Sequence, residues 1–118
     1  MNRRTLPRLV AVGVAAAMCA PAVFAAETLI PRSMAGDKGR YYLLEAVARG
    51  SIVRTLHKRV GVDAIGYTRA EVDCSTRRMR ELGYSETSPV DIRETPTKWF
   101  ELVPGSSKSD LVDFVCRR

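Results

Sequence analysis

The 118-residue chain contains one histidine, one tryptophan and three cysteines. No Cys-x-x-Cys or His-x-x-x-His spacing occurs, so no metal centre is legible and no cofactor is expected. With a single histidine, a nucleophilic cysteine would have one candidate imidazole base, His57. That residue sits in VRTLHKRV among cationic neighbours, which disfavour a further positive charge without building a dyad. A surface strand histidine is the expectation for it. No apolar run reaches the roughly 20 residues that a membrane-spanning helix needs. RNA-binding and zinc-finger motifs are missing too, so no nucleic-acid partner is expected.

The chain opens MNRRTLPR, with Arg3, Arg4 and Arg8 ahead of any acidic residue, followed by the uncharged stretch Leu9 to Ala20. Pro21 interrupts it, and small residues continue to Ala26. A basic start, a short apolar run and a small-residue exit form a secretory signal peptide over residues 1–25, with cleavage expected after Ala25 and a second choice after Ala22. Cys19 follows Ala16, Ala17 and Met18, which is unlike a lipoprotein signal. Export to the periplasm or cell surface is expected.

Removal of that segment changes the charge balance. The full chain carries 19 basic and 13 acidic side chains, a net +6; without Arg3, Arg4 and Arg8 the balance is 16 against 13, or +3. That is mildly basic, not the composition of a nucleic-acid binder. The remainder is one small domain, for which a covalent staple would matter.

Cys74 and Cys116 are the cysteines left after processing, and two cysteines in an exported chain most often pair with each other. The loop so closed is worth ~4 kcal/mol in chain-entropy models. The rival reading is a reactive Cys74 whose thiolate is favoured by Arg77 and Arg78.

Residues 26–39, with Pro31, Gly36 and Gly39, read as a flexible lead-in to a domain over 40–118. Arg40–Arg49 is ambiguous between helix and strand; a turn at Gly50-Ser51 before the alternating SIVRTLHKRV favours a hairpin. GVDAIG is a loop. YTRAEVDC places Thr68, Ala70, Val72 and Cys74 on one strand face. TRRMREL has Ser75 and Gly83 as a helix frame, but arginines in a first turn oppose the helix dipole. The strand is therefore adopted, with Met79 on one face and Leu82 and Tyr84 on the other. SETSPVDIRETP is a long surface loop, and Trp99 and Phe100 cover the sheet or join its core. KSDLVDFVCRR is a helix with Ser107 as N-cap, Asp110 three residues on, and Leu111, Phe114 and Val115 as its apolar stripe. The fold class is α+β: a small antiparallel sheet of about four to five strands carrying a C-terminal helix tied by a disulfide.

GYTRAEVDCSTRRMRELGYSE, Trp99 and PGSSKSDLVDFVC together resemble the surface-adhesin protein E-like family of exported Gram-negative proteins. The resemblance spans Ser51 to Cys116 and rests on Asp73-Cys74, Arg77-Arg78-Met79-Arg80, Tyr84, Trp99, Pro104 to Ser106 and Val115-Cys116. It implies a non-enzymatic module that binds a host-matrix or envelope protein, and it brings no catalytic residues. Arg77, Arg78 and Arg80 are the candidate partner-contact surface. The alternative is an inhibitor or accessory factor of a cell-envelope enzyme, using the Ser85 to Pro96 loop. A redox or thiol enzyme built on Cys74 is the third reading.

Overall fold

The computed structural model describes residues 27–117; the expected signal peptide, its cleavage site and Cys19 lie outside the described residues. The chain forms β1 (Thr28–Leu29), β2 (Arg40–Arg49), β3 (Ile52–Val60), β4 (Ile65–Asp73), β5 (Arg78–Ser85), a 3-10 turn (Pro89–Asp91), β6 (Phe100–Glu101) and α1 (Ser107–Cys116). The strands lie side by side in sequence order, each antiparallel to the next. One six-stranded meander with one helix results. It exceeds the expected four to five strands because the lead-in and the Trp99 segment each add a two-residue strand.

The β2–β3 hairpin closes at Arg49 and Ile52 around Gly50-Ser51, and Gly50 takes the positive φ of 60° that suits the first position of a two-residue turn. Both expected ambiguities resolve to strands. Each of those strands also carries an irregularity that simple alternation does not anticipate. In β2 the pairing steps from Leu43 to Glu45, leaving Leu44 as the extra residue. Leu43 and Ala46 therefore share the buried face at an interval of three, while Glu45, Val47 and Arg49 turn to the opposite face. In β5 the pairing steps from Glu81 to Gly83. Met79 joins the main core and Leu82 is buried outside it, on different faces as expected. Tyr84 does not follow Leu82: beyond the bulge it lies over Gly66, on the helix side.

The core is the layer between the sheet and α1. Leu43, Ala46, Val53, Ala70, Val72 and Met79 of the sheet meet Leu111, Val112 and Val115 of the helix. Phe114 packs against this cluster only partly buried, and Val112 replaces it as a fully buried member of the stripe. Ser106, one residue earlier than expected, caps the helix: its Oγ accepts from the Ser109 N–H at 3.1 Å. Asp110 is thereby freed for another task.

That task fastens residues expected to be a flexible lead-in. Asp110, only 5% exposed, accepts from the Ser33 N–H at 3.1 Å and lies 3.3 Å from Arg32 Nε. Ile30 beside them is a core residue, and its N–H donates to the Tyr41 carbonyl. Burial of Ile30 and the carboxylate together draw residues 28–33 onto the domain. At the other end of α1, Cys116 is bonded to Cys74 just beyond β4, with Cα atoms 5.5 Å apart.

Two stability outcomes follow from these fastenings. Replacing both Cys74 and Cys116 by serine is expected to cost ~4 kcal/mol, from the loop of 42 residues' separation; urea unfolding that shifts by under ~1 kcal/mol would remove the disulfide from its structural role. Asp110→Ala strips Arg32 of its counter-ion and the Ser33 N–H of its acceptor and is expected to cost about 2–3 kcal/mol. Hydrogen exchange at Ile30 and Ser33 should rise in that variant, and unchanged protection there would refute the clamp.

Candidate functional site

The three arginines singled out in the sequence each find a carboxylate within the domain, and they point three ways. Asp73 Oδ1 accepts from the Ser75 N–H at 2.9 Å and its Oγ at 2.6 Å, building the turn that follows β4. Those bonds, the Ser75 hydroxyl foremost, hold the Asp73 carboxyl below its ordinary range. Arg77 ends the turn with φ of 55° and pairs with Asp113 of α1. Arg78 lies 3.4 Å from Glu101 of β6, and Arg80 2.6 Å from Glu71 of β4. Arg77 thus braces the helix, while Arg78 and Arg80 lie on the sheet face opposite it.

That opposite face carries a transverse row. Register aligns Arg54 of β3 with Glu71 of β4, and Glu71 with Arg80 of β5. Beyond Arg80, the Trp99 ring lies with its centroid 5.0 Å from the guanidinium carbon. Arg54 also pairs with Glu94 from the segment after β5. Trp99 is exposed, so it acts as neither core nor full cover for the sheet, whereas Phe100 packs on the core. Arg54 and Glu71 were not anticipated as part of a surface site. Their signal was the alternation of β3 and β4, readable only once strand register is known.

The Ser85 to Pro96 segment is ordered by its own hydrogen bonds. Ser85 Oγ accepts from the Thr87 N–H, the Thr87 hydroxyl donates to Asp91, and Ser88 Oγ accepts from the Val90 N–H. Thr95 and Thr97 then donate backbone bonds to Leu82 and Glu81. The result is a fixed loop with Val90 88% exposed at its tip.

On the helix side, a cleft of about 300 Å³ opens between the ends of β3, β4 and β5 and the first turn of α1. His57 and Thr68 line it with Tyr84, Glu81 and Lys108. Gly66 lies at its floor, where a Cβ would come within 2.5 Å of the Tyr84 hydroxyl and displace that ring. Charges around the cleft are largely neutralised in pairs: Glu81 with Lys108 at 2.8 Å, and Arg59 with Asp37 at 2.7 Å. The Arg59 guanidinium, then the Tyr41 hydroxyl and the Gly39 N–H, hold Asp37 well below the usual carboxylate range. Tyr84 is pushed above its ordinary value by burial and by Glu86.

His57 corrects the sequence expectation. It shares a face with Val53 and Thr55, which are buried, and that alternation was the available signal. The residue is half-buried, while its Nδ1 is sealed from solvent with no hydrogen-bond partner among the described residues. Burial pushes its pKa from 6.5 down to about 4, with Glu81 opposing the shift and Lys108 adding to it. The imidazole is neutral with its Nδ1 sealed, and Ser107 lines the same cleft. Cys74, the other half of the thiol-enzyme reading, is consumed in the disulfide.

Among the described residues no group of three or more His, Cys, Asp or Glu side chains could hold a metal ion, and no helix is long and apolar enough to cross a membrane. No family model matches the chain, and neither the curated proteins nor the solved structures contain a significant match.

The depressed histidine pKa gives a pH dependence of definite sign. The unfolded chain takes up a proton near pH 6.5 and the folded one only near pH 4, so stability is retained above 6.5 and falls as pH drops from 6.5 to 4. The loss from this one residue reaches at most ~3 kcal/mol. Thermal melts of His57→Gln against the parent should converge over that interval; parallel pH profiles would show that His57 titrates normally.

Proposed function

We propose that this chain is an exported, non-enzymatic protein-binding module of the adhesin-like kind, working in the periplasm or at the cell surface. The N-terminal signal pattern supports export, and the resemblance to the surface-adhesin protein E-like family supports adhesion to a host-matrix or envelope protein. The observation that carries the reading is the row Arg54–Glu71–Arg80 ending on the exposed Trp99. Trp and Arg dominate the energetics of protein interfaces, and here they are held in a fixed mutual geometry before any partner arrives. Arg80 is half-buried and oriented by Glu71, so its contact face needs little ordering on association.

The test is capture from envelope and host-matrix extracts on immobilised protein, followed by affinity measurement on the purified partner. Trp99→Ala and Arg80→Ala are each expected to weaken binding about tenfold or more, with the melting temperature little changed. A reproducible partner that ignores both substitutions, or no reproducible partner at all, counts against this surface.

A second reading, an inhibitor or accessory factor of a cell-envelope enzyme, is favoured by the fixed loop that presents Val90. Preorganisation of this kind lowers the ordering cost of insertion into a cleft. Lysozyme and envelope-protease assays with the parent and Val90→Asp separate the two readings: inhibition abolished by Val90→Asp supports the loop, and activity untouched by the parent removes it.

A further inference from the structure

The clamp that fastens residues 28–33 also walls a second cleft, apart from the one containing His57. About 400 Å³ lies between Pro31, Arg32 and Ser33 on one side and α1 from Asp110 to its C-cap, Arg117, on the other. Arg32 is the unusual residue there. Its Nε lies 3.3 Å from Asp110 Oδ2 without hydrogen-bond geometry, and Nε and Nη1 are both sealed from solvent with no hydrogen-bond partner among the described residues. Buried guanidinium N–H groups without an acceptor are costly and rare in folded proteins. The Tyr41 ring, with its centroid 5.1 Å from the guanidinium carbon, meets the charge but satisfies no N–H.

The remaining charges of the cleft leave a positive excess. Asp110 is engaged by Arg32 and the Ser33 N–H, and Asp113 by Arg77, which comes from outside the cleft. Arg117 is exposed and has no carboxylate within ion-pair reach among the described residues. Phe114, one turn before Arg117 on α1, and Pro31 give the same cleft apolar surface.

We propose that this cleft binds a small organic monoanion, a carboxylate carried on an apolar body of about ten non-hydrogen atoms. Its oxygens accept from the Arg32 and Arg117 guanidinium groups, and its body lies on Phe114 and Pro31. Guanidinium forks match a carboxylate in shape as well as in charge. An oxygen entering beside Arg32 supplies the acceptor that Asp110 alone leaves missing. A single uncompensated positive charge favours a monoanion over a cation or a dianion. Because Pro31 and Arg32 precede β2 and are held by the clamp, the site exists only while residues 28–33 are docked. A bound ligand therefore bridges the two ends of the domain and holds the first onto the last. The cleft is on the helix side, away from the Arg80–Trp99 row, and does not depend on any protein partner of that row.

The test is an NMR titration of isotope-labelled protein, purified after whatever N-terminal processing the cell performs, with octanoate and phenylacetate as probes. One or both should bind with Kd on the order of 0.1–1 mM, in keeping with about ten non-hydrogen atoms, and shift the amides of Arg32, Ser33, Phe114 and Arg117. The tighter probe tells whether the body is aliphatic or aromatic. Acetate, which lacks the body, and octylammonium, which reverses the charge, should bind at least about tenfold more weakly. Arg117→Gln removes a cation that has no internal partner, so it should weaken the probes about tenfold and leave the melting temperature unchanged. With octanoate at about ten times its Kd, hydrogen exchange at Ile30 and Ser33 should slow about tenfold, since only the docked segment binds. No saturable binding of either probe up to about 10 mM overturns the proposal. Equal binding of octylammonium, indifference to Arg117→Gln, or exchange at Ser33 that ignores bound octanoate overturns it too.

Discussion

One helix must cover the apolar face of a six-stranded sheet, and everything else in the domain depends on its staying there. An isolated ten-residue helix is marginal in water, so α1 owes its existence to packing and to fastenings at its ends. The disulfide holds the C-terminal end to the exit of β4. Lys108 reaches Glu81 of β5 from the first turn, and Asp110 of the same turn holds Arg32 and Ser33. Leu111, Val112 and Val115 then have a fixed height above Ala70, Val72 and Met79. The cleft containing His57 and the burial of Ile30 are both consequences of that height.

The same arrangement divides the sheet into two chemistries. The helix face is apolar at its centre and closes around His57 toward one end. The other face has no helix on it and alternates charge from strand to strand, with Arg54, Glu71 and Arg80 in register and Lys58 set over Tyr42. Lys58 is held charged above its ordinary pKa by the Glu27 carboxylate. Interdigitated charges of both signs keep such a face hydrated and oriented, and the edge aromatic Trp99 supplies the apolar surface that salt bridges lack.

Much of the architecture was legible in the sequence. YTRAEVDC alternates cleanly and is a strand with Ala70 and Val72 buried; the hairpin at Gly50-Ser51 follows from turn chemistry; the Cys74–Cys116 bond is present. The short strands β1 and β6 were missed because two residues carry no period. The helix-or-strand ambiguity of Arg40–Arg49 has a physical source in the bulge at Leu44. It spaces the buried Leu43 and Ala46 three apart, which is a helical interval written into a strand. Partner-facing residues were less legible. The arginine cluster drew notice through its density along the chain, yet Arg77, Arg78 and Arg80 are separated by register into a helix brace, an edge pair and a stacked side chain. Arg54 and Glu71, distant in sequence, join Arg80 only through strand pairing.

Arg77 has a consequence for how the domain tolerates change. It holds a left-handed backbone conformation three residues after Cys74, while its guanidinium is tethered to Asp113 three residues before Cys116. The noncovalent tether therefore spans the same two segments as the covalent one, a few residues inside it on each side. As an exposed ion pair it adds at most about 1 kcal/mol to a link that the disulfide makes far more strongly. Arg77 thus serves the finished fold as a second, noncovalent brace laid beside the disulfide.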